Sequence, residues 1–230
     1  MFFFGTQGDK VALMGAQNKK KYESQRQLER QANILAATRE MLAEIGYDRT
    51  TIRALAEKAH VAPGTLYNLY NSKDELVIAA VVDLLNILGL AAVQRSEPGL
   101  DRIFAVVSEV GNTVESNPAY AEAVTRALLG VQRDTDLTTP MYANNARVAE
   151  FELNVAIGLD QVVADIDAGA IGLHLQSQLW GIVVAWIMGQ VSIENIQREM
   201  KRSVYLTLLG VTTPKGDEYL AQIAQSEQID

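Results

Sequence analysis

Cysteine is missing from the whole 230-residue chain, which excludes disulfides, thiolate nucleophiles and cysteine metal sites and fits a reducing cytoplasm. Histidine is scarce: only His60 and His174 are present, which argues against a histidine-based metal centre. Five prolines and few aromatics leave little to interrupt helices, and no strand-like alternation or Asn-Gly turn appears, so the economical fold is an all-α bundle. No Gly-x-Ser-x-Gly elbow and no Gly-rich phosphate loop occurs. His174, set between Leu173 and Leu175, therefore reads as packing, and Asp165 and Asp167 as the opening of a helix. Neither an enzyme nor a cofactor is expected.

Long uninterrupted apolar runs are also lacking. Leu76 to Val93 and Leu179 to Val191 are short or broken by Asp83, Asn86 and Gln190, whereas a membrane span needs about 20 largely apolar residues. Met1-Phe2-Phe3-Phe4 lacks the positive start of a signal peptide, and Val11 to Ala16 is too short to act as one. No membrane partner is expected, and the apolar runs read as buried helices.

Positive charge is short overall, the formal net charge being −8. Its distribution matters more than its total. Met1 to Glu75 carries eleven Lys and Arg against nine Asp and Glu, or +2; the remainder carries nine against nineteen, or −10. An acidic body repels phosphate while a mildly basic end approaches it, which would orient the molecule on DNA.

That basic end holds the most informative stretch, Thr50 to Leu76. Thr50 or Thr51 can cap a short helix on which Ile52, Leu55, Ala56 and Ala59 recur at helical spacing. His60-Val61 turns the chain. Pro63, with its φ preset, suits the first position of a second helix starting near Ala62 and carrying Leu66 and Leu69 inward. Ser72-Lys73-Asp74-Glu75 has capping-box spacing, so Ser72 and Glu75 can satisfy each other's N–H groups at the start of a long third helix. Two short helices joined by a tight turn form a helix-turn-helix, whose second helix can enter the major groove.

Thr50-Thr51-Ile52-Arg53, Leu55-Ala56, Val61, Gly64-Thr65-Leu66-Tyr67, Tyr70 and Ser72-Lys73-Asp74-Glu75-Leu76, preceded by Ala43-Glu44-Ile45-Gly46-Tyr47, resemble the DNA-binding domain of the tetracycline-repressor (TetR) family. The match is dense over about fifty residues; the rest of the chain resembles the family only in length and helical pattern. His60 departs from the glycine usual at such turns, and the position calls for a left-handed backbone, which His tolerates better than most residues. The resemblance implies a dimeric transcriptional regulator, most often a repressor, that binds a double-stranded pseudo-palindromic operator and is released by a small, largely apolar effector. Ala62, Pro63, Gly64, Thr65, Tyr67 and Asn68 would then lie at or near the groove. Asn68 and Thr65 can hydrogen-bond base edges, and Ala62 and Pro63 offer apolar contact. Thr51, Arg53, Tyr67 and Lys73 are candidates for phosphate, contacts that fix register rather than sequence. Tyr70 reads as core.

Around this stretch, residues 1–24 read as a disordered arm with Lys19, Lys20 and Lys21 towards its end. Residues 25–75 form the helix-turn-helix domain, whose first helix turns Ile34, Leu35, Thr38, Met41, Leu42 and Ile45 to one face and stops at Gly46. Residues 76–212 form a helical ligand-binding and dimerisation domain, and 213–230 a tail. Further helices are expected from Leu100, from Ala119 to Val131, and from Pro140 to about Leu159. For the ligand site the candidates are Phe104, Tyr120, Tyr142, Phe151, His174 and Gln178, each of which also has a plain core reading. Between Ala168 and Gly189 apolar residues run nearly all round, and Ile196, Met200, Val204 and Leu208 repeat every four residues. These two segments would pair with their symmetry mates, so Trp180, Val184, Ile187, Ile196, Met200, Val204 and Leu208 are the dimer candidates. Trp180 and Trp186, about 120° apart on a helix, cannot face the same partner. The other classes still open are a helical interaction protein, or an all-α enzyme, that keeps the helix-turn-helix as scaffold.

Overall fold

The computed structural model describes residues 7–130, 139–227 and 229, with side chains for 25–129, 145–226 and 229. Its α-helices are α1 (Gln7–Arg49), α2 (Ile52–Lys58), α3 (Pro63–Leu69), α4 (Lys73–Arg95), α5 (Leu100–Ser116), α6 (Pro118–Gly130), α7 (Thr139–Gly158), α8 (Ala168–Ile187), α9 (Ile196–Leu208) and α10 (Pro214–Glu227), with a 3-10 turn at Ile193–Asn195. Among the described residues no strand forms, and the all-α class holds.

The head is built from local signals. α1 breaks at Gly46, whose φ of 75° and ψ of 172° suit glycine. Thr51 caps α2, its Oγ1 accepting from Ala54 N at 3.2 Å. His60 takes the positive φ expected of it, 53°. Pro63 opens α3. Ser72 Oγ accepts from Glu75 N at 3.1 Å, but Glu75 does not return the bond to Ser72: its carboxylate accepts from the backbone and side-chain amides of Asn71, at 2.8–3.0 Å. These caps each contribute about 1 kcal/mol. Ile34, Leu35, Met41, Leu55, Ala56, Leu66, Tyr70, Leu76 and Ala80 close one small core, with Tyr70 buried as expected. Leu69, expected inside, is 40% exposed; α3 is too short and too tightly turned to bury both leucines.

A second cluster seals head to body, joining Leu42 of α1, Val77, Ile78 and Val81 of α4, and Tyr120, Ala123, Val124, Ala127 and Leu128 of α6. The boundary expected between residues 75 and 76 thus falls within the first turn of α4, which belongs to both units. The third and largest cluster draws on α5, α7, α8, α9 and α10. Here three expectations change. α1 runs back to Gln7 where a disordered arm was expected to residue 24; lysines, glutamines and alanines without apolar periodicity favour helix by propensity rather than burial. Residues 214–227 are not a tail: they form α10, which folds back with Leu220 and Ala224 buried, and Ile229 beyond it is buried too. Ile196, Met200, Val204 and Leu208 are fully buried inside the protomer, so their four-residue repeat marks the inward face of α9 and not a dimer seam.

α4 and α8 have the length and apolarity of membrane-crossing helices. In the fold α4 divides its apolar residues among the clusters just described and a cavity, whereas α8 leaves a stripe uncovered: Leu173, Ser177, Gly181 and Met188 are exposed and Val184 half-exposed on one face. Beside it, Leu206 of α9 and Leu209 just past its end are exposed.

Candidate functional site

α3 buries Leu66 and turns the rest of itself outward. Pro63, Gly64, Tyr67 and Asn68 are exposed, together with Ala62 just before the helix, so five of the six groove candidates share one surface. Tyr67 is 57% exposed, a large aromatic left mostly in solvent. Thr65 is half-buried, and Arg30 of α1 donates to its Oγ1 at 3.5 Å. A single basic residue in a helical run gave no sign of that contact. Arg53 is exposed on α2. Thr51 is exposed too, but its hydroxyl is committed to the cap.

Lys73, a phosphate candidate from the sequence, is engaged within the head. Its Nζ donates to Tyr47 O at 3.2 Å and lies 3.7 Å from the Tyr47 ring centroid, while Tyr47 donates its hydroxyl to Asp74 in a short hydrogen bond. Burial first, then that bond and the Asp74 charge, push the Tyr47 phenol well above its ordinary range. Lys73 is thereby a strap between α4 and the end of α1.

A second tie lies about ten residues before the end of α1. Arg39 pairs with Asp83 of α4 at 2.6 Å and donates to Ala80 O at 3.3 Å. Tyr120 of α6 stands close by: its hydroxyl is buried without a hydrogen-bond partner. Burial chiefly raises its pKa; the Arg39 charge opposes the rise and the Asp83 charge adds to it.

The ring of Tyr120 also forms part of the wall of a cavity of about 630 Å³ enclosed by α4 to α9, a size suited to a small organic ligand. The wall is mainly aliphatic, with Leu84, Leu85 and Leu88 from α4, Val106, Val107 and Val110 from α5, and Leu175, Leu179 and Val183 from α8. Leu90, Val93 and Val148 line it and are also exposed, which marks its mouth between α4 and α7. Among the described residues its only charged liners are Arg102 and Glu152. They pair at 3.4 Å, the Glu152 carboxylate also accepting from Gly99 N and Arg102 donating to Ser96 O. Gly99 is needed there: its φ is +92°, and a methyl group on it would meet Gln161 Oε1 at 2.4 Å.

Of the expected ligand residues, only Tyr120 reaches this wall. Phe104 is buried against Tyr219, with ring centroids 6.2 Å apart. Phe151 is 63% exposed on α7. His174 is exposed, its Nε2 2.8 Å from Gln178 Nε2, and Gln178 accepts from Thr207 Oγ1 at 2.9 Å; neither lines the cavity. Tyr142 lies outside the residues whose side chains are described. Of the dimer candidates, Trp180 turns into the cavity wall, Ile187 is half-buried, and Val184 alone belongs to the open stripe of α8. Trp186 packs against the protomer's core, so the two tryptophans do face apart.

Residues 34–80 match the family described as bacterial regulatory proteins, tetR family. Over 201 residues the chain is 34% identical to the HTH-type transcriptional repressor KstR of Mycobacterium tuberculosis, covering 80% of this chain and 83% of that repressor. It is 26% identical over 196 residues to KstR of Rhodococcus jostii, covering 80% and 85%. In fold it is similar to a TetR transcriptional regulator from Rhodococcus, with a TM-score of 0.65 and 22% identity over 80% of this chain and 98% of that one. It is also similar to Thermus thermophilus FadR, a TetR-family repressor in complex with lauroyl-CoA, with a TM-score of 0.63 and 16% identity over 78% and 94%.

Proposed function

The chain belongs to the TetR family of DNA-binding transcriptional regulators, and from that premise we propose that it is a homodimeric repressor released from its operator by an apolar effector. The observation that carries the proposal is the sharing of α4. Val81, Leu84, Leu85 and Leu88 of this helix line the cavity, Asp83 holds Arg39 of α1, and Lys73 holds the end of α1 through Tyr47. A ligand that reshapes the wall moves α4, and α4 cannot move without carrying the head.

In this reading Tyr67, Asn68, Thr65, Ala62, Pro63 and Gly64 meet the groove, Arg53 and the backbone around Thr51 meet phosphate, and Lys73 acts chiefly on head geometry. Two protomers join through the open stripes of α8 and α9. Their heads read half-sites about 34–36 Å apart. Effector binding favours a dimer with another spacing, and by linkage operator must weaken effector binding by the same factor. The protein acts in the cytoplasm and catalyses nothing. Repression, rather than activation, follows the two KstR repressors that the chain resembles.

Selection of bound duplexes from a random-sequence pool tests this arrangement. The expected product is an inverted repeat with half-site centres about 10 base pairs, or a multiple of that, apart. A single unrepeated site bound by one protomer would overturn the dimeric reading.

A further inference from the structure

Resting on the reading of the cavity as the effector site, we infer that the effector is uncharged, a long apolar molecule whose one polar group is a hydroxyl, carbonyl or amide met by Asn145 and Gln176. The first ground is charge balance. Arg102 and Glu152, the charged liners among the described residues, already neutralise each other, and Glu152 is further held by Gly99 N. Among the described liners a carboxylate finds no cation whose charge is not already matched, Arg102 offering only its unpartnered Nε–H, and an ammonium finds no spare carboxylate. Either would exchange water for a largely aliphatic wall with no compensating partner. The other ion pair nearby, Arg39 with Asp83, is closed in the same way.

The second ground is the pair of amides. Asn145 and Gln176 line the cavity and are half-buried, and their side-chain amides make no hydrogen bond among the described residues. The hydroxyls of Thr113 and Thr125, which also line it, donate to Glu109 O and Ala121 O of their own helices. The polar groups left over in the described wall are therefore these two amides together with the exposed Asn86, the Arg102 Nε–H and the Tyr120 hydroxyl. α7 and α8 run antiparallel, and Gly172 fits against Ala146 and Glu150, where a methyl group would sit 2.6 Å from Ala146 O. One turn beyond Gly172, Gln176 lies at the same end of the helix pair as Asn145. Two neutral groups, each donor and acceptor, on neighbouring helices of a largely aliphatic wall match a neutral polar head on an apolar body.

The test is competition against Nile red, a neutral apolar dye, by 1-dodecanol, dodecanoate and dodecylammonium at pH 8, in wild-type protein. These probes share one chain and differ in head charge. Dodecanol is expected to compete at least about tenfold more tightly than either ion, because each ion must be desolvated unpaired. Replacing Asn145 and Gln176 together by Leu should weaken dodecanol about tenfold by removing its partners. Glu152→Gln, which frees Arg102, should raise dodecanoate relative to dodecanol; the wild-type ratio stands whether or not this variant folds. Dodecanoate binding as tightly as dodecanol in wild type would overturn the inference while leaving the cavity reading intact. Nile red that does not bind, or is displaced by none of the three, would overturn the cavity reading itself.

Discussion

Gly181 lies mid-way along the open stripe of α8, next to Ser177 in the turn before it. A methyl group placed on Gly181 would meet no atom within 4 Å, so within one protomer a leucine there has room. It should also favour the helix, since glycine costs about 0.8–1 kcal/mol relative to alanine in a helix interior and leucine is nearly as good as alanine. In a dimer joined through this stripe the outcome reverses. Small residues in its centre let two helices approach closely, and symmetry places both new leucines at the same seam. Overpacking costs about 1–3 kcal/mol per insertion, so the pair costs about 2–6 kcal/mol, a rise in the dimer dissociation constant of roughly 30-fold or more. Gly181→Leu should therefore sediment as a folded monomer at concentrations where wild type is dimeric. Its helical circular dichroism should be unchanged, and operator affinity should fall with the loss of the second half-site. A folded Gly181→Leu protein with unaltered dimer affinity would refute the reasoning and move the interface elsewhere.

Leu208→Ala tests the opposite assignment: the residue is fully buried within the protomer, so it should lose about 2–5 kcal/mol and lower the melting temperature by about 2–4 °C per kcal/mol. That loss should be the same at low and high protein concentration. Asp83→Asn leaves Arg39 without its partner across the head–body seam; the pair is partly exposed, so stability should fall by only about 1 kcal/mol, while the factor by which a cavity ligand weakens operator binding shrinks toward one. For pH, the Asn71 amides hold the exposed Glu75 carboxylate below its ordinary 4.5. A depressed pKa means the clasp is complete above that value and is lost as pH falls through the folded pKa. Operator affinity in wild type should accordingly drop on acidification below about 4.5 more than it does in Glu75→Gln, as followed by fluorescence anisotropy.

The head was legible because its signals are local. Thr51, Pro63, Ser72 and Gly46 act on their own backbone or a neighbour a few residues away, and each does so in the structure. His60 adopts the left-handed turn that its place between two helices demanded. The body was legible as helices but not as surfaces. A four-residue apolar repeat says that one face of α9 is covered, yet not by what, and a protomer's core and a partner's helix leave the same pattern. The cavity was obscured for a related reason. Aromatic and polar residues drew attention to Phe104, Phe151 and His174, whereas the wall is mostly leucine and valine from six helices, whose convergence no local spacing encodes. The contacts of Lys73 with Tyr47 and of Arg30 with Thr65 join residues far apart in the chain, beyond the reach of any motif.

The account stands most directly on DNA binding through the exposed face of α3. Fluorescence anisotropy with a labelled duplex from the DNA upstream of the protein's own gene, over a salt series, measures it. Wild type should bind with a steep, linear fall of log affinity against log salt, about 0.9 per phosphate contacted. Asn68→Ala should lose about 1–3 kcal/mol on that duplex and little on unrelated DNA. Tyr67→Ala should weaken binding at every salt concentration. Wild-type binding that ignores salt, or that neither substitution changes, would contradict the placement of the reading surface on α3.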